Sequence, residues 1–150
     1  MRKIPLTQGQ FAIVDSEDYK WLNQFKWCFN NGYAVRHVRL SPRVKQTRLM
    51  MHRVIMNAPE GMEVDHVNSN RLDNRRNNLR ICSPIQNSFN RQIPANNTSG
   101  FKGVTLFRTV WRVKIQGQFI GYFPTKEEAR DAYNREAVKR FGEFAKLNPL

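Results

Sequence analysis

Residues 64–87 read VDHVNSNRLDNRRNNLRICSPIQN, and no other stretch restricts the fold as tightly. A short apolar approach ends on Asp65-His66. Residues 67–77 are mostly Asn, Arg and Asp, and the chain turns apolar again only in NLRIC. Two short strands, EVDH and NLRIC, therefore flank a polar connector. Ser83 can cap a helix that has Pro84 at its first position and runs to about Arg91. Adjacent strand residues point to opposite faces, so Asp65 and His66 can serve one site only where the strand ends. A neutral His is the side chain best able to take a proton near neutral pH. Asp and Asn oxygens are hard ligands suited to magnesium or a similar ion. If the helix packs across the hairpin, Asn87 in its first turns can face Asp65 over one ion. The helix N-terminus would favour a phosphate there.

Charge points to the partner. Lys and Arg number 25 and Asp and Glu 12, for a formal net charge of +13 over 150 residues. Residues 1–35 carry 4 basic and 3 acidic side chains, residues 36–94 carry 11 and 4, and residues 95–150 carry 10 and 5. The excess is spread over two regions and is not a tail, which fits a folded nucleic-acid binder better than a disordered basic arm. No run approaches the roughly 18 apolar residues of a membrane span. The start MRKIPLTQGQ lacks the apolar stretch of a signal peptide. The expected setting is cytoplasmic. Cys28 and Cys82 are isolated and read as small core residues.

Upstream, QFAIVD (10–15) reads as a strand and SEDYKWLNQF (16–25) as a short helix with acids in its first turn, capped by Asp15 or Ser16. Asn31-Gly32 between two β-rich runs signals a hairpin. RLMMHRVIM (48–56) carries a helical apolar stripe and ends before the turn NAPEG. Downstream, the polar QIPANNTSG (92–100) is the best domain boundary. Three short strands follow in FKGVTLF, VWRVKIQ and QFIGYF, with Gly117 in the second turn. Thr125 and Glu128 then make a capping box opening a helix to about Phe141. Ala129, Ala132, Tyr133, Ala137 and Phe141 line one face of it. In VWRVKIQ, Trp111, Val113 and Ile115 share one face, and Arg112, Lys114 and Gln116 share the other. Trp111 is expected in the core. With the helix on the apolar face, a basic sheet face is left open, and such a face can sit in a DNA major groove.

Asp65-His66, the Asn-rich loop, Asn78-Leu79-Arg80 and Asn87 together resemble the phage and homing branch of the HNH endonucleases. The leader IPLTQGQFAIVDSEDYKWLNQFKW, GYAVRH and MHRVIM extends the resemblance over roughly residues 4–91. It implies a ββα-metal core at about 61–91 and a DNA hydrolase leaving 5′-phosphate and 3′-hydroxyl ends. His66 would be the general base, Asp65 and Asn87 would hold one divalent ion, and Asn78 would pin the loop and orient His66. Magnesium is the expected ion, manganese the substitute. No structural zinc is expected, since the third signature position is Asn87 and not a His. Arg71, Arg75 and Arg76 would be offered to phosphates. His52, in MHR, recurs in the pattern; its reading is divided between a place beside the site and ordinary packing.

The segment from Ser99 to Asn148, with KGV, WRVKI, IGYFPTKEEARDAY and FGEFAKLN, resembles the plant APETALA/ethylene-response-factor DNA-binding domain. The resemblance implies DNA contact through the exposed sheet by Lys102, Thr105, Arg108, Arg112, Lys114 and Gln116, with Phe119 a further candidate. Thr105 and Gln116 stand where the plant reading face carries arginines, so the plant target sequence does not transfer. The whole reads as an α+β protein: an HNH endonuclease domain at 1–93, then at 94–150 a three-stranded antiparallel sheet packed on one helix. The expected partner is double-stranded DNA, without a membrane or a small-molecule cofactor, and monomer and homodimer both stay open. The rival reading is a sequence-specific DNA-binding protein or regulator whose nuclease site is idle.

Overall fold

The computed structural model describes residues 1–39, 41, 46–89, 93 and 97–150 and mixes α and β elements. Packing divides the chain into two compact units, Met1–Asn87 and Ser88–Leu150. The expected boundary stretch 92–100 follows this division, and its residues 92 and 94–96 lie outside the described residues.

In the first unit, β1 (Arg2–Pro5) and β2 (Phe11–Val14) form an antiparallel hairpin with Arg2 opposite Val14. In α1 (Ser16–Leu22), Glu17 and Asp18 occupy the first turn, where acids complement the helix dipole. The hairpin of β3 (Cys28–Asn30) and β4 (Tyr33–Val38) turns through Asn31 and Gly32, at φ of 49° and 85°. Both central residues are left-handed, the conformation that Asn-Gly favours. β5 (Thr47–Met50) then pairs with β4, Val35 opposite Met50, and α2 (Met51–Met56) follows. This corrects the helix expected over 48–56. Arg48 to Met50 belong to a strand, because their apolar spacing serves either period and the free edge of β4 supplies ladder hydrogen bonds. Met51 and Ile55, one helical turn apart, carry the buried face of α2.

β6 (Glu63–His66) and β7 (Leu79–Cys82) pair antiparallel, Asp65 opposite Arg80 and His66 opposite Leu79. α3 (Pro84–Phe89) opens with a reciprocal cap: Ser83 Oγ accepts from the Gln86 amide at 3.2 Å, and Gln86 Oε1 accepts from the Ser83 amide at 2.8 Å. Its expected end near Arg91 lies outside the described residues. Ile4, Val14, Leu22, Met51, Ile55, Val64 and Leu79 share one core, which draws the first hairpin, α1, α2 and the β6–β7 pair together. Each such side chain contributes about 1.5–3 kcal/mol on burial. Cys82 is buried and Cys28 half-buried, both as free thiols.

In the second unit, β8 (Val104–Phe107), β9 (Val110–Ile115) and β10 (Gln118–Phe123) form an antiparallel sheet with β9 central. Gln116 lies beyond the end of β9. With Gly117 it forms the left-handed turn into β10, so it does not stand on the strand face where the sequence put it. α4 (Lys126–Phe141) is capped by Thr125 Oγ1, which accepts from the Glu128 amide at 3.2 Å. Ala129, Tyr133 and Ala137 close on Val104, Val113 and Ile115, with Trp111 half-buried at the margin of this core. Gly103, at φ 73°, runs beneath the Tyr133 ring and the Lys114 carbonyl, where a Cβ has no room.

Candidate active site and nucleic-acid interface

β6 ends at His66, and alternation sends its last two side chains apart. Asp65 shares a face with Glu63. Its Oδ2 accepts from Arg80 Nε at 2.9 Å and Nη2 at 2.7 Å, from directly across the ladder. On that same face Asn87 Nδ2 donates to Glu63 Oε2 at 2.5 Å. The Asn87 amide nitrogen is thus directed at Glu63, two residues before Asp65, and its carbonyl oxygen is turned away from Glu63. Glu63 thus holds Asn87 by a hydrogen bond and shares a strand face with Asp65, which the Arg80 fork engages. Among the described residues no group of three or more His, Cys, Asp or Glu side chains is arranged to hold a metal ion. A donor set of one or two carboxylates and an amide instead suits a hard ion that keeps several waters.

His66 enters a different environment. Its ring lies 5.0 Å from the His52 ring, edge-on, and 6.2 Å from Tyr33; His52 and Tyr33 are 5.3 Å apart. His66 Nε2 meets Asn74 Oδ1 at 3.4 Å, a long contact. The Asn74 amide nitrogen donates to the Leu72 carbonyl at 3.2 Å, so the oxygen is the atom presented to His66. That arrangement favours the tautomer protonated at Nε2, with the lone pair on Nδ1. Burial lowers the pKa of His66 below its ordinary value, against the Asn74 hydrogen bond and the charges of Asp65 and Asp73, which raise it. The imidazole is therefore neutral at neutral pH. His52 is lowered to about 3 by burial, then by His66 and Arg53. Its Nδ1 is buried with no hydrogen-bond partner among the described residues. Of the two readings left to His52, the structure places it against the His66 ring.

The Asn- and Arg-rich loop is a fastened piece of the fold. Ile13 of β2 donates to the Leu72 carbonyl at 2.8 Å and accepts from the Asn74 amide at 2.7 Å, forming a parallel bridge to Asp73. Asn78 spans the loop, its Oδ1 accepting from the Asn68 amide at 3.0 Å and its Nδ2 donating to the Asp73 carbonyl at 2.8 Å. Asn68 and Asn70 side chains accept from backbone amides two residues on, the local turn geometry these residues favour.

The loop arginines have partners within the unit. Arg75 forks onto Asp73 at 2.8 and 2.7 Å, which holds the Asp73 carboxyl below its usual range. Arg76 forks onto the buried Asp18 at 2.8 and 2.7 Å, and its amide donates to Asp15 Oδ2. Asp15, read as a helix cap, directs its carboxylate there and makes no cap bond. Arg71 lies over the Tyr33 ring, 4.7 Å from its centroid.

In the second unit, Val113 and Ile115 are buried, so Arg112 and Lys114 stand on the opposite, open face, where Thr105 pairs with Arg112. Arg108 lies in the β8–β9 turn at φ 55°. Lys102 precedes β8, and its Nζ donates to the Phe89 carbonyl at 2.6 Å. Glu63, Asn74 and Tyr33 are site neighbours that sequence reasoning missed. Tyr33 had the weak signal of directly following the Asn-Gly turn. Nothing distinguished Asn74 among the many loop asparagines, yet it is fully buried.

The HNH endonuclease family matches residues 50–89. An HNH endonuclease of Acanthamoeba polyphaga mimivirus is 30% identical over 155 residues, covering 95% of this chain and 77% of that protein. Protein 3.8 of Escherichia phage T7 is 41% identical over 62 residues, 40% of this chain and 51% of that protein. No solved structure matches the chain.

Proposed function

The chain belongs to the HNH endonuclease family, and from that premise we propose metal-dependent hydrolysis of DNA with His66 as general base. It is an endonuclease, and the family makes DNA its substrate. The observation that carries the mechanism is the buried imidazole of His66 at the end of β6, facing Asn74 and packed against His52.

On this reading His66 Nδ1 takes a proton from water as the water oxygen attacks phosphorus. Asn74 accepts from the Nε2 proton and keeps the lone pair on Nδ1. Asn78 holds the loop that presents Asn74, so it acts on His66 through Asn74 and is a positioning residue. Asp65 and Asn87 oxygens would hold a divalent ion, with Glu63 orienting Asn87 and Arg80 fixing the Asp65 carboxylate. Magnesium suits this oxygen set, and manganese can replace it. When bound, the ion would supply positive charge that stabilises the negative charge developing as the phosphodiester is cleaved. The products are a 5′-phosphate and a 3′-hydroxyl.

Residues 94–150 are proposed as the unit that recognises duplex DNA, with Thr105, Arg108, Arg112 and Lys114 toward it. In the nuclease unit Arg71 is the phosphate contact. Arg75 and Arg76, engaged by Asp73 and Asp18, serve the loop's shape. Relaxation of a supercoiled plasmid with magnesium, and again with excess EDTA, tests the metal. Cleavage that continues unchanged in EDTA overturns the metal assignment and leaves the family membership standing.

A further inference from the structure

The open face of the β8–β9–β10 sheet carries rings that the proposed duplex contacts do not use. Phe107 on β8 and Phe119 and Tyr122 on β10 are 38%, 53% and 51% exposed. Phe107 stacks on Tyr122 at 5.6 Å across the sheet, and Tyr122 meets Phe119 at 4.9 Å. Tyr122 pairs with Arg112 in the ladder and Phe119 with Lys114, so the rings and the basic side chains share one surface. The Arg112 guanidinium lies 5.3 Å from the Phe107 centroid and that of Arg108 5.7 Å. Arg112 Nε is buried with no hydrogen-bond partner among the described residues. The core on the other side is already filled by Val104, Val113 and Ile115 beneath α4, so the rings are not needed to close it.

A contiguous exposed aromatic patch marks a binding surface. Its mixture with cations selects among occupants. A second copy of a unit with 10 basic and 5 acidic side chains in residues 95–150 would bring like charge against like. A polyanion is matched by that charge. Intact duplex DNA presents base edges and thymine methyls in its major groove, while its base faces stay inside the stack. Ring faces gain most from base faces, and those are open only in an unpaired strand.

We infer that this face binds single-stranded DNA, with Phe107, Phe119 and Tyr122 stacking on unpaired bases and Arg108, Arg112 and Lys114 meeting the phosphates. The inference rests on the reading of residues 94–150 as a DNA-binding unit and adds unpaired strands to the DNA that its sheet takes. An endonuclease so equipped holds a locally opened or already nicked strand as well as a closed duplex.

The test uses the full chain in EDTA, titrated by fluorescence anisotropy into a labelled oligothymidylate, the same length of abasic strand, and a duplex. The expected result is tighter binding to the oligothymidylate than to the abasic strand, which keeps the phosphates and lacks the faces. Phe119→Leu and Tyr122→Leu should each weaken single-strand binding about tenfold. Tyr122→Leu should leave duplex binding within about twofold, and Tyr122→Phe should bind as the parent does. Both positions are exposed, so melting temperatures should stay unchanged. Equal affinity for the oligothymidylate and the abasic strand overturns the inference, as does equal loss of single-strand and duplex binding in Tyr122→Leu. Duplex binding that persists while single strands are ignored overturns this inference alone. Absence of binding to any DNA form overturns the DNA-binding reading beneath it as well.

Discussion

The first unit buries Asp18, His52, Asp65, His66, Asp73, Asn74 and Asn78; the second buries, among polar residues, Ser99 and Asn148. In Met1–Asn87, hydrogen bonds and ion pairs hold the candidate chemistry inside the fold. In Ser88–Leu150, an apolar core supports a sheet whose candidate contacts lie on the outside. The difference teaches how each can be interrogated. A buried polar group is bound to its neighbours, so removing it changes both chemistry and stability. An exposed ring or cation can be exchanged with little effect on folding. Function and stability are entangled in the first unit and separable in the second.

The sharpest way to break that contrast is His66→Ala. A general base contributes about 10²–10⁴-fold, so plasmid cleavage should fall by about that factor while duplex affinity is kept. Because His66 is buried against His52 and Tyr33, the melting temperature should fall too. Cleavage at the parent rate by a folded His66→Ala protein would remove His66 from the mechanism.

The next effect is on the second unit. Gly103→Ala adds a Cβ where the Tyr133 ring and the Lys114 carbonyl already lie, at a positive φ. A strained conformation and a backbone clash together cost on the order of 3 kcal/mol or more, enough to unfold a small unit. Limited proteolysis should then digest residues 97–150 while the nuclease unit survives. A Gly103→Ala chain as resistant as the parent would mean that this backbone has room the structure does not show.

The stretch around His66 was legible in the sequence for local reasons, while Gly103, expected in the strand FKGVTLF, lies in the turn before β8. The Ser83–Gln86 box, the Thr125 cap and the Asn31-Gly32 turn follow from interactions a few residues apart, so their elements could be read directly. Asp65 and His66 stood out because a carboxylate and an imidazole adjoin in sequence at a strand end, although the structure turns them to different surroundings. What escaped was long-range. Nothing near Arg76 announces Asp18, 58 residues away, so the ion pair that fastens this half-exposed guanidinium could not be read from the sequence. β5 was hidden because the edge of β4, not the apolar stripe of residues 48–50, makes it a strand. The parallel bridge from Ile13 to Asp73 turned an apparent connector into a structural part. On the open sheet, alternation put Arg112 and Lys114 on the correct side. The bulge between Phe119 and Gly121, which brings Phe119 and Tyr122 to one face, has no such signature.

Arg76→Met probes the long-range fastening. It leaves Asp18 buried without its forked partner, though half of the Arg76 side chain is exposed and the pair is partly screened. A loss of about 1–3 kcal/mol is expected, read as a lower denaturation midpoint of the nuclease unit, with salt dependence of duplex binding almost unchanged. A variant of parent stability whose salt slope falls by about one would make Arg76 a phosphate contact after all.

The smallest effect comes from acid, and it separates the units without any change to the second. All three histidines, His37, His52 and His66, belong to the first unit. His52 has a folded pKa of about 3, set first by burial and then by the positive charge His66 would bring and by Arg53. Unfolding returns it to about 6.5, where it binds a proton that the folded form refuses. The unfolded state therefore holds more protons at every pH between these values. Stability must rise with pH through that window and be lost as pH falls below about 6.5. The loss is at most about 1.4 kcal/mol per pH unit for one histidine, so about 1 kcal/mol is expected from pH 6.5 to 5.5. His66, lowered in the same direction, adds to it. His52→Leu should make the slope shallower in this range, because a leucine has no proton to take up. The second unit has no histidine and should be flat over the same interval. Hydrogen exchange at both pH values, resolved by segment, reads the two units in one experiment. A nuclease unit whose protection is equal at pH 6.5 and 5.5 would show that the protonated His52 ring finds a hydrogen-bond acceptor on acidification, and the contrast between a polar interior and an apolar one would narrow at that residue.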